Sequence, residues 1–177
     1  KHFVSRNAFD IEGMGGKHIE AFHELGWVRQ PGDIFRLEAD HGEELRKLEG
    51  WGPKSAENLF ASINQRRTIS LDRFIYALGI RQIGQATAKL LARHYGNVTA
   101  WRQAMIDAQE ADSDALRDLI NIDQIGPGVA HDLLEFAAES HNRAVLDDLQ
   151  DILEITDVEA PASVDSPVSG KTVVFTG

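Results

Sequence analysis

The chain contains no cysteine among its 177 residues, which excludes disulfides and cysteine-ligated metal sites within it and is typical of a reducing compartment. It has no long apolar run, although 42% of its residues are hydrophobic, so we expect no transmembrane segment and no membrane partner. Its seven histidines show no metal-binding spacing. Because no nucleophile or acid/base pair stands out either, we expect neither a metal site nor a catalytic residue.

Positive charge is scarce. The formal net charge is −10, which argues against nucleic-acid binding, because affinity for nucleic acid depends on cations that neutralise phosphates. The distribution is more informative than the total: residues 68–105 carry five Lys or Arg against one acidic residue, whereas residues 106–177 carry three against sixteen. Nearly all of the acidic excess therefore lies at the C-terminal end. We expect any DNA binding by this chain alone to be weak and salt-sensitive.

Glycine recurs in a regular pattern. Four segments join a glycine or glutamine, an apolar residue and a second glycine to the start of a predicted helix, and we call them hairpins 1 to 4 after their last glycines, Gly15, Gly52, Gly84 and Gly126. These glycines are 37, 32 and 42 residues apart. Alanine follows four residues later in three of them, and Ile19 in the first. Such a period indicates a repeated supersecondary unit.

Each unit is suited to binding a phosphate. Glycine permits a tight turn and a close approach to the backbone, and the helix that follows has unpaired N–H groups and a positive dipole end. Lys17 and Lys54 lie two residues after the last glycine, within reach of the same anion. The pattern resembles the helix-hairpin-helix motif, which grips the DNA backbone without reading sequence. Ordinary glycine turns between packed helices are the alternative, against which four units in register argue.

The four hairpins are not equivalent in sequence. Hairpins 3 and 4 carry Gln82 and Gln124 in place of the first glycine, so we expect their turns to be less open. Hairpin 3 compensates with Arg81 before the turn and Lys89 in the following helix. Hairpin 4 has the acidic Asp123 instead, and we expect it to be mainly structural.

The candidate DNA-contacting residues lie in the turns and helix starts of hairpins 1 to 3. In chain order they are Gly13, Met14, Gly15, Gly16, Lys17, Gly50, Trp51, Gly52, Lys54, Ser55, Arg81, Ile83, Gly84, Gln85, Thr87 and Lys89. The weaker or structural set in hairpin 4 is Ile125, Gly126 and Gly128. The apolar residue of each turn is expected to fill the angle between two helices.

Caps and breakers predict where the helices begin and end. Asp40 opens one helix in a capping-box pattern, and Pro53 occupies the first position of the next. Thr99 and Ser113 are predicted caps of two further helices, and another helix is predicted over Gln85–Tyr95.

The predicted fold is all-α, with tandem helix-hairpin-helix repeats in which four hairpins form two pairs, 1+2 and 3+4, over residues 1–153. The acidic, proline-containing stretch 154–168 is typical of a linker. Residues 169–177 are β-branched and predict a strand, the start of a truncated α/β domain. We therefore expect the chain to be a fragment of a longer protein.

Longer stretches resemble a known family, the bacterial NAD-dependent DNA ligases. The resemblance covers roughly residues 1–155, as the helix-hairpin-helix domain of that family, and Ser169–Gly177 is similar to the first strand of its BRCT domain. Its most specific parts are Val4–Gly15 and Ile80–Arg81. The stretches that carry it are residues 3–15, 48–59 and 74–81.

The resemblance implies a parent enzyme that seals nicks in duplex DNA during replication and repair, with NAD as adenylate donor and Mg²⁺. In the family the nucleophilic lysine, the NAD-binding domain and a zinc site lie upstream, so this fragment is expected to hold no cofactor and to be inactive alone. The implied partners are duplex and nicked DNA, gripped at minor-groove phosphates. The resemblance also implies a monomer in the bacterial cytoplasm, at the nucleoid.

Two other functions stay open at this stage. One is a non-enzymatic helix-hairpin-helix module of an excision-repair or junction-binding protein, which would not be expected to continue into a BRCT-like strand. The other is an α-helical interaction scaffold without a nucleic-acid ligand, whose function would survive charge reversal at the hairpin cations.

Overall fold

A computed structural model of the chain describes residues 1–159, and nine α-helices make up most of that range. They are α1 Gly16–Glu24, α2 Leu37–Lys47, α3 Pro53–Gln65, α4 Leu71–Ala77, α5 Gln85–Tyr95, α6 Val98–Asp107, α7 Asp114–Asn121, α8 Pro127–Ala138 and α9 Ser140–Ile152. Two 3-10 helices, His2–Val4 and Pro31–Arg36, and two short strands, β1 Thr68–Ser70 and β2 Glu154–Thr156, complete the described elements. The all-α prediction is confirmed, and none of the described helices has the length and apolar character needed to cross a bilayer.

The helices form two similar halves. In the first, the 3-10 helix His2–Val4 and α1 enclose hairpin 1, and α2 and α3 enclose hairpin 2. In the second, α4 and α5 enclose hairpin 3, and α7 and α8 enclose hairpin 4. A single helical connector joins the hairpins within each half, the 3-10 helix Pro31–Arg36 in one and α6 in the other. This order confirms two tandem pairs, which we call pair 1/2 and pair 3/4.

Most predicted helix starts are confirmed, including Pro53 for α3 and the Ser113 cap of α7. The predicted Thr99 cap is wrong: Asn97 caps α6, and its Oδ1 accepts a hydrogen bond from the Ala100 amide at 2.8 Å. Thr99 lies two positions after the cap and already belongs to the first turn of α6.

Helix α2 also differs from its prediction. It begins at Leu37, directly after the 3-10 helix, and not at Asp40. The helix is kinked at His41, whose φ of −135° is not helical and whose ring stacks on Trp27 at 4.7 Å between centroids. Where the sequence pattern predicted the start of a helix, the structure therefore has a kink, and the residue at the kink contacts Trp27.

The hydrophobic core is continuous through both halves. Its largest fully buried side chains are Trp101 and the phenylalanines Phe9, Phe22 and Phe74. Within residues 1–159 no polar or charged residue is buried as a whole. Burial of this apolar surface is the main source of stability for the fold, which leaves the charged residues at the surface for other contacts.

The two strands form a small parallel sheet in which Ile69 lies opposite Ile155. Just beyond β2, the Val158 amide donates a hydrogen bond to the carbonyl of Gly96 at 2.8 Å. The helical domain therefore extends beyond Leu153, the residue at which the sequence analysis placed its end. The rest of the predicted linker, from residue 160, and the predicted BRCT strand at 169–177 lie outside the described residues.

Candidate nucleic-acid interface

The four hairpin turns share one hydrogen-bonding pattern. In each, the amide of the apolar residue donates to the carbonyl three residues earlier, in the pairs Met14 to Ile11 (3.2 Å), Trp51 to Leu48 (3.0 Å), Ile83 to Ile80 (3.0 Å) and Ile125 to Ile122 (2.9 Å). The last glycine of each turn accepts the first bond of the following helix, from Ile19 (3.1 Å), Ala56 (3.0 Å), Ala88 (2.9 Å) and Ala130 (3.0 Å). The sequence repeat is therefore a structural repeat.

The first glycine position of each turn is left-handed in all four hairpins. Gly13 and Gly50 have φ of 88° and 87°, and Gln82 and Gln124 have φ of 69° and 67°. The expectation of a less open turn in hairpins 3 and 4 is wrong for the backbone, which follows the same course with glutamine as with glycine. Glutamine adopts this conformation at an energetic cost, because its β-carbon crowds the carbonyl oxygen.

This strain can be measured. Gln124→Gly is expected to raise the free energy of unfolding by about 0.5–1 kcal/mol, because the relief of left-handed strain outweighs the backbone entropy that the unfolded chain gains with glycine. Gly50→Ala, at the equivalent position of hairpin 2, is expected to lower it by about 1 kcal/mol. Urea titrations of the two variants and the unsubstituted chain measure both changes. A lower free energy of unfolding for Gln124→Gly would contradict the inference that the backbone is strained at Gln124.

The last glycines of the turns are needed for a different reason. Gly15, Gly52, Gly84 and Gly126 have extended φ values of −83°, −128°, −89° and −96°, which any residue adopts. A β-carbon added at any of the four would meet no described atom within 4 Å. Neither backbone strain nor crowding by residues 1–159 requires glycine here. The bare backbone leaves room for another molecule to approach the helix start.

The helices that follow these glycines have no side-chain cap within the described structure. None of the glycines Gly15, Gly52, Gly84 and Gly126 can supply one, and no other side chain replaces it. Helices α6 and α7 are capped by Asn97 and Ser113, whereas α2, α4 and α9 also have no side-chain cap. The first amides of the four hairpin helices therefore remain available to an external anion, at the positive end of the helix dipole.

The four cations predicted at hairpins 1 to 3 are exposed. Lys17, Lys54, Arg81 and Lys89 make no ion pair or hydrogen bond with any residue in the range 1–159. Other arginines are engaged with carboxylates, side-chain amides or backbone carbonyls of the protein: Arg36, Arg46, Arg66, Arg67, Arg73, Arg102, Arg117 and Arg143. Lys1 is likewise paired, with Glu20, so the basic residues of the described range divide into engaged and free cations, and the predicted site cations all belong to the second group.

Arg93 is a further cation that the sequence analysis did not include in the site. It is exposed and unpaired within the described residues, and it follows Lys89 by four residues in α5. Residues at this spacing lie on the same helix face. The i, i+4 spacing after Lys89 was the signal that could have identified it.

Hairpin 4 has the opposite electrostatic character. Asp123 is exposed in its turn, and Arg117 in α7 is held by Asp114. In α8 the ligand atoms of His131, Asp132 and Glu135 lie within 4.8 Å of one another, a grouping that the histidine spacing did not predict. Asp132 also accepts a hydrogen bond from Gln82 of hairpin 3. Acidic groups at the turn and along its helix disfavour phosphate, as expected for a structural hairpin.

Hairpins 1 and 2 face a common groove of about 690 Å³. Trp51 is half-buried against His18, with ring centroids 4.9 Å apart, and His18 Nδ1 lies 3.1 Å from the carbonyl oxygen of Gly13. Asn58 lines the groove six residues after Gly52. Pair 1/2 therefore presents two open turns together.

In pair 3/4 the corresponding position is occupied. Asp132 lies six residues after Gly126, as Asn58 does after Gly52, and it binds Gln82 across the pair. The side chain that replaces the first glycine of hairpin 3 therefore links this hairpin to hairpin 4, whereas Gly13 leaves the equivalent space open. Of the turn residues expected to fill the helix angle, Met14, Ile83 and Ile125 are buried.

Comparison with known proteins agrees with this arrangement. The helix-hairpin-helix motif family matches residues 73–146, the region of hairpins 3 and 4. Over its whole length the chain is 62% identical to a DNA ligase of Rhodospirillum rubrum and 54% identical to a DNA ligase of Paramagnetospirillum magneticum. Over 99% of its length it is 53% identical to a DNA ligase of Acidiphilium cryptum. The chain spans about a quarter of the length of these relatives, 25–26%, and the predicted resemblance to part of a DNA ligase is confirmed.

Proposed function

We propose that this chain, which aligns from end to end with proteins named DNA ligase, is the DNA-binding part of such an enzyme. It grips the backbone of duplex DNA without reading sequence, through the open amides of its hairpin helices and the cations beside them. The observation that carries the proposal is the repeated turn itself, with a glycine at the cap position, open space where its side chain would lie, and no side-chain cap on the helix that follows.

The positions of the free cations support different contributions of the four hairpins to DNA binding. Hairpins 1 and 2 contribute Lys17 and Lys54, and hairpin 3 contributes Arg81 and Lys89. Each can neutralise a phosphate beside the amides of its own turn. Hairpin 4 holds its partner hairpin in place and makes little contact of its own with DNA, because the exposed Asp123 disfavours phosphate at its turn.

The whole enzyme would seal nicks in duplex DNA, with NAD as adenylate donor and Mg²⁺, and with a zinc ion held elsewhere. These assignments rest on the family resemblance. Parts of the protein outside this chain would hold the NAD, Mg²⁺ and zinc sites, so the chain alone would bind DNA as a monomer and ligate nothing. Within the bacterial cytoplasm its ligand would be nucleoid DNA. Similarity to DNA ligases over the whole chain favours this function over a non-enzymatic repair module.

A salt series tests the proposal. Four phosphate-neutralising cations predict a slope of about −3 to −4 in a plot of log affinity against log salt for duplex DNA. We expect nicked and intact duplexes to bind equally, because no residue of these turns requires a strand end. Fluorescence anisotropy with labelled nicked, intact and single-stranded DNA measures the three affinities and their dependence on salt. A chain that binds no DNA at low salt would overturn the proposal and favour the scaffold alternative.

A further inference from the structure

The last described elements connect the two hairpin pairs. Helix α9 follows α8 and packs on pair 3/4, where Arg102 Nη1 donates to Asp147 Oδ1 at 2.7 Å. From its adjacent position, Asp148 extends to pair 1/2 and forms an ion pair with Arg36 in the 3-10 helix Pro31–Arg36. Two neighbouring carboxylates of one helix are thus bound to different halves of the molecule.

Neighbouring residues hold the ion pair between Asp148 and Arg36 in place. Arg36 also donates to Asp33 Oδ1 at 3.0 Å, and the other oxygen of Asp33 accepts the Arg29 amide at 3.0 Å. Hydrogen bonding to Asp148 is the main reason why the pKa of Arg36 is raised above its usual value. Gly32 lies directly beneath the Asp148 carboxylate, and a β-carbon added at Gly32 would overlap Asp148 Oδ2.

Strand β2 lies against the segment that joins the two pairs. The Glu154 amide donates to the carbonyl of Arg67 at 2.7 Å, and β2 runs parallel to β1, the segment between the two pairs. Two residues after β2, the Val158 amide donates to Gly96 at the end of α5. The residues after α9 therefore contact the segment between the pairs first and pair 3/4 directly afterwards.

The pairs also touch directly at another place. His2 Nε2 lies 2.7 Å from the carbonyl oxygen of Tyr76, and Arg73 Nη1 donates to the carbonyl of Ala8 at 2.9 Å. These bonds join the start of hairpin 1 to α4. The pairs also share one hydrophobic core, and the Asp148 contact adds a further point at which rotation of one pair against the other is restricted.

We infer that α9 and β2, residues 140–156, form a clasp that holds pair 1/2 and pair 3/4 at one angle, so that hairpins of both pairs contact one duplex simultaneously. Asp148 is its central positioning residue. This inference rests on the proposed function. Simultaneous contact converts the second binding event into an intramolecular one, and that gain is lost when the geometry of the two sites is not maintained.

Asp148→Ala, with Asp147→Ala as matched control, tests the clasp. Both variants remove one carboxylate from the same turn of α9, so they change the net charge equally, but only Asp148 holds pair 1/2. Loss of a negative charge by itself should slightly strengthen DNA binding. We expect Asp148→Ala to weaken duplex binding about fivefold instead, and Asp147→Ala to leave it unchanged or stronger.

A distance measurement checks the clasp without DNA. Because the chain has no cysteine, spin labels can be attached at Glu38→Cys in α2 and Asn121→Cys in α7, both exposed positions. Double electron–electron resonance should give one narrow distance distribution for the otherwise unsubstituted chain and for Asp147→Ala, and a broader one for Asp148→Ala. Gly32→Ala, which displaces the same carboxylate without removing its charge, should behave as Asp148→Ala does.

The outcomes separate the two proposals. Equal distance distributions, or equal DNA affinities, for Asp148→Ala and Asp147→Ala would overturn the clasp while leaving DNA binding by the hairpins intact. If the unsubstituted chain bound no DNA, the proposed function would fail together with the clasp's role in binding, and the distance distributions would still decide whether the clasp fixes the angle. Circular dichroism of each variant shows that the comparison is made between folded proteins.

Discussion

Valine at both Gly15 and Gly52 is expected to lower the affinity for duplex DNA about a hundredfold, because each turn loses charge-assisted amide–phosphate hydrogen bonds that contribute about 1.5 kcal/mol or more. Both glycines have extended backbone angles, and both have open space where a side chain would lie. The valine side chains would therefore occupy the place of the phosphate and disturb little else. Fluorescence anisotropy with a labelled duplex measures the loss.

Gly126→Val is the matched control for this variant. Gly126 has the same extended conformation, the same open surroundings and the same position at the start of a helix, but its hairpin is flanked by acidic residues. Gly126→Val should lower the free energy of unfolding by up to about 1 kcal/mol through poorer helix capping, as much as each of the other two substitutions does. It should leave DNA binding nearly unchanged. If Gly126→Val weakened binding as much as Gly15→Val or Gly52→Val alone, the functional distinction between hairpin 4 and the others would be wrong.

The repeat made much of this fold predictable from sequence. Pro53 and Pro127 mark helix starts because proline fits the first helical position, where its missing amide costs nothing. Ser113 marks another because its hydroxyl accepts an amide of the first turn, from Leu116 at 3.1 Å. These signals are local, and the pattern of apolar residue, glycine and helix start repeats four times, so one correctly interpreted unit predicts the others.

The errors have nonlocal causes. Strand β2 is three residues long and acidic at its start, and only its pairing with β1, over eighty residues earlier in the chain, distinguishes it from a linker. The kink in α2 comes with the stacking of His41 on Trp27. Gln82 and Gln124 adopt left-handed angles that their residue type disfavours, because the rest of the turn imposes the conformation.

The positions of the four turns were predictable from the sequence, but which basic residues of the region are free was predictable only in part. The sequence shows that residues 68–105 are basic, yet two of their five cations are engaged in the structure: Arg73 donates to the carbonyl of Ala8, and Arg102 is paired with Asp147. Arg81, Lys89 and Arg93 remain free within the described residues. Which cations are available to a ligand depends on tertiary contacts, which composition alone does not contain.

Reversal of the charge at Lys17, Lys54 and Arg81 together, each to glutamate, is expected to abolish measurable duplex binding at physiological salt. Each lost phosphate contact should reduce the magnitude of the salt slope by about 1, so the triple variant should show a slope near 0 to −1 at low salt. All three side chains are exposed and unpaired within residues 1–159, so the free energy of unfolding should change little. Anisotropy across a salt series measures the slope, and urea titration measures the stability.

Two single charge reversals, Lys17→Glu and Arg29→Glu, control for the change in net charge. Lys17 lies at the start of that helix beside its open amides, and Arg29 lies beyond its end, away from the turn. Lys17→Glu and Arg29→Glu alter the total charge equally, so a long-range effect of net charge would weaken binding equally in both. Local phosphate contact instead predicts a loss for Lys17→Glu that is about tenfold larger than for Arg29→Glu. Equal losses would mean that the duplex responds to overall charge, and that the hairpin turns do not position the phosphates.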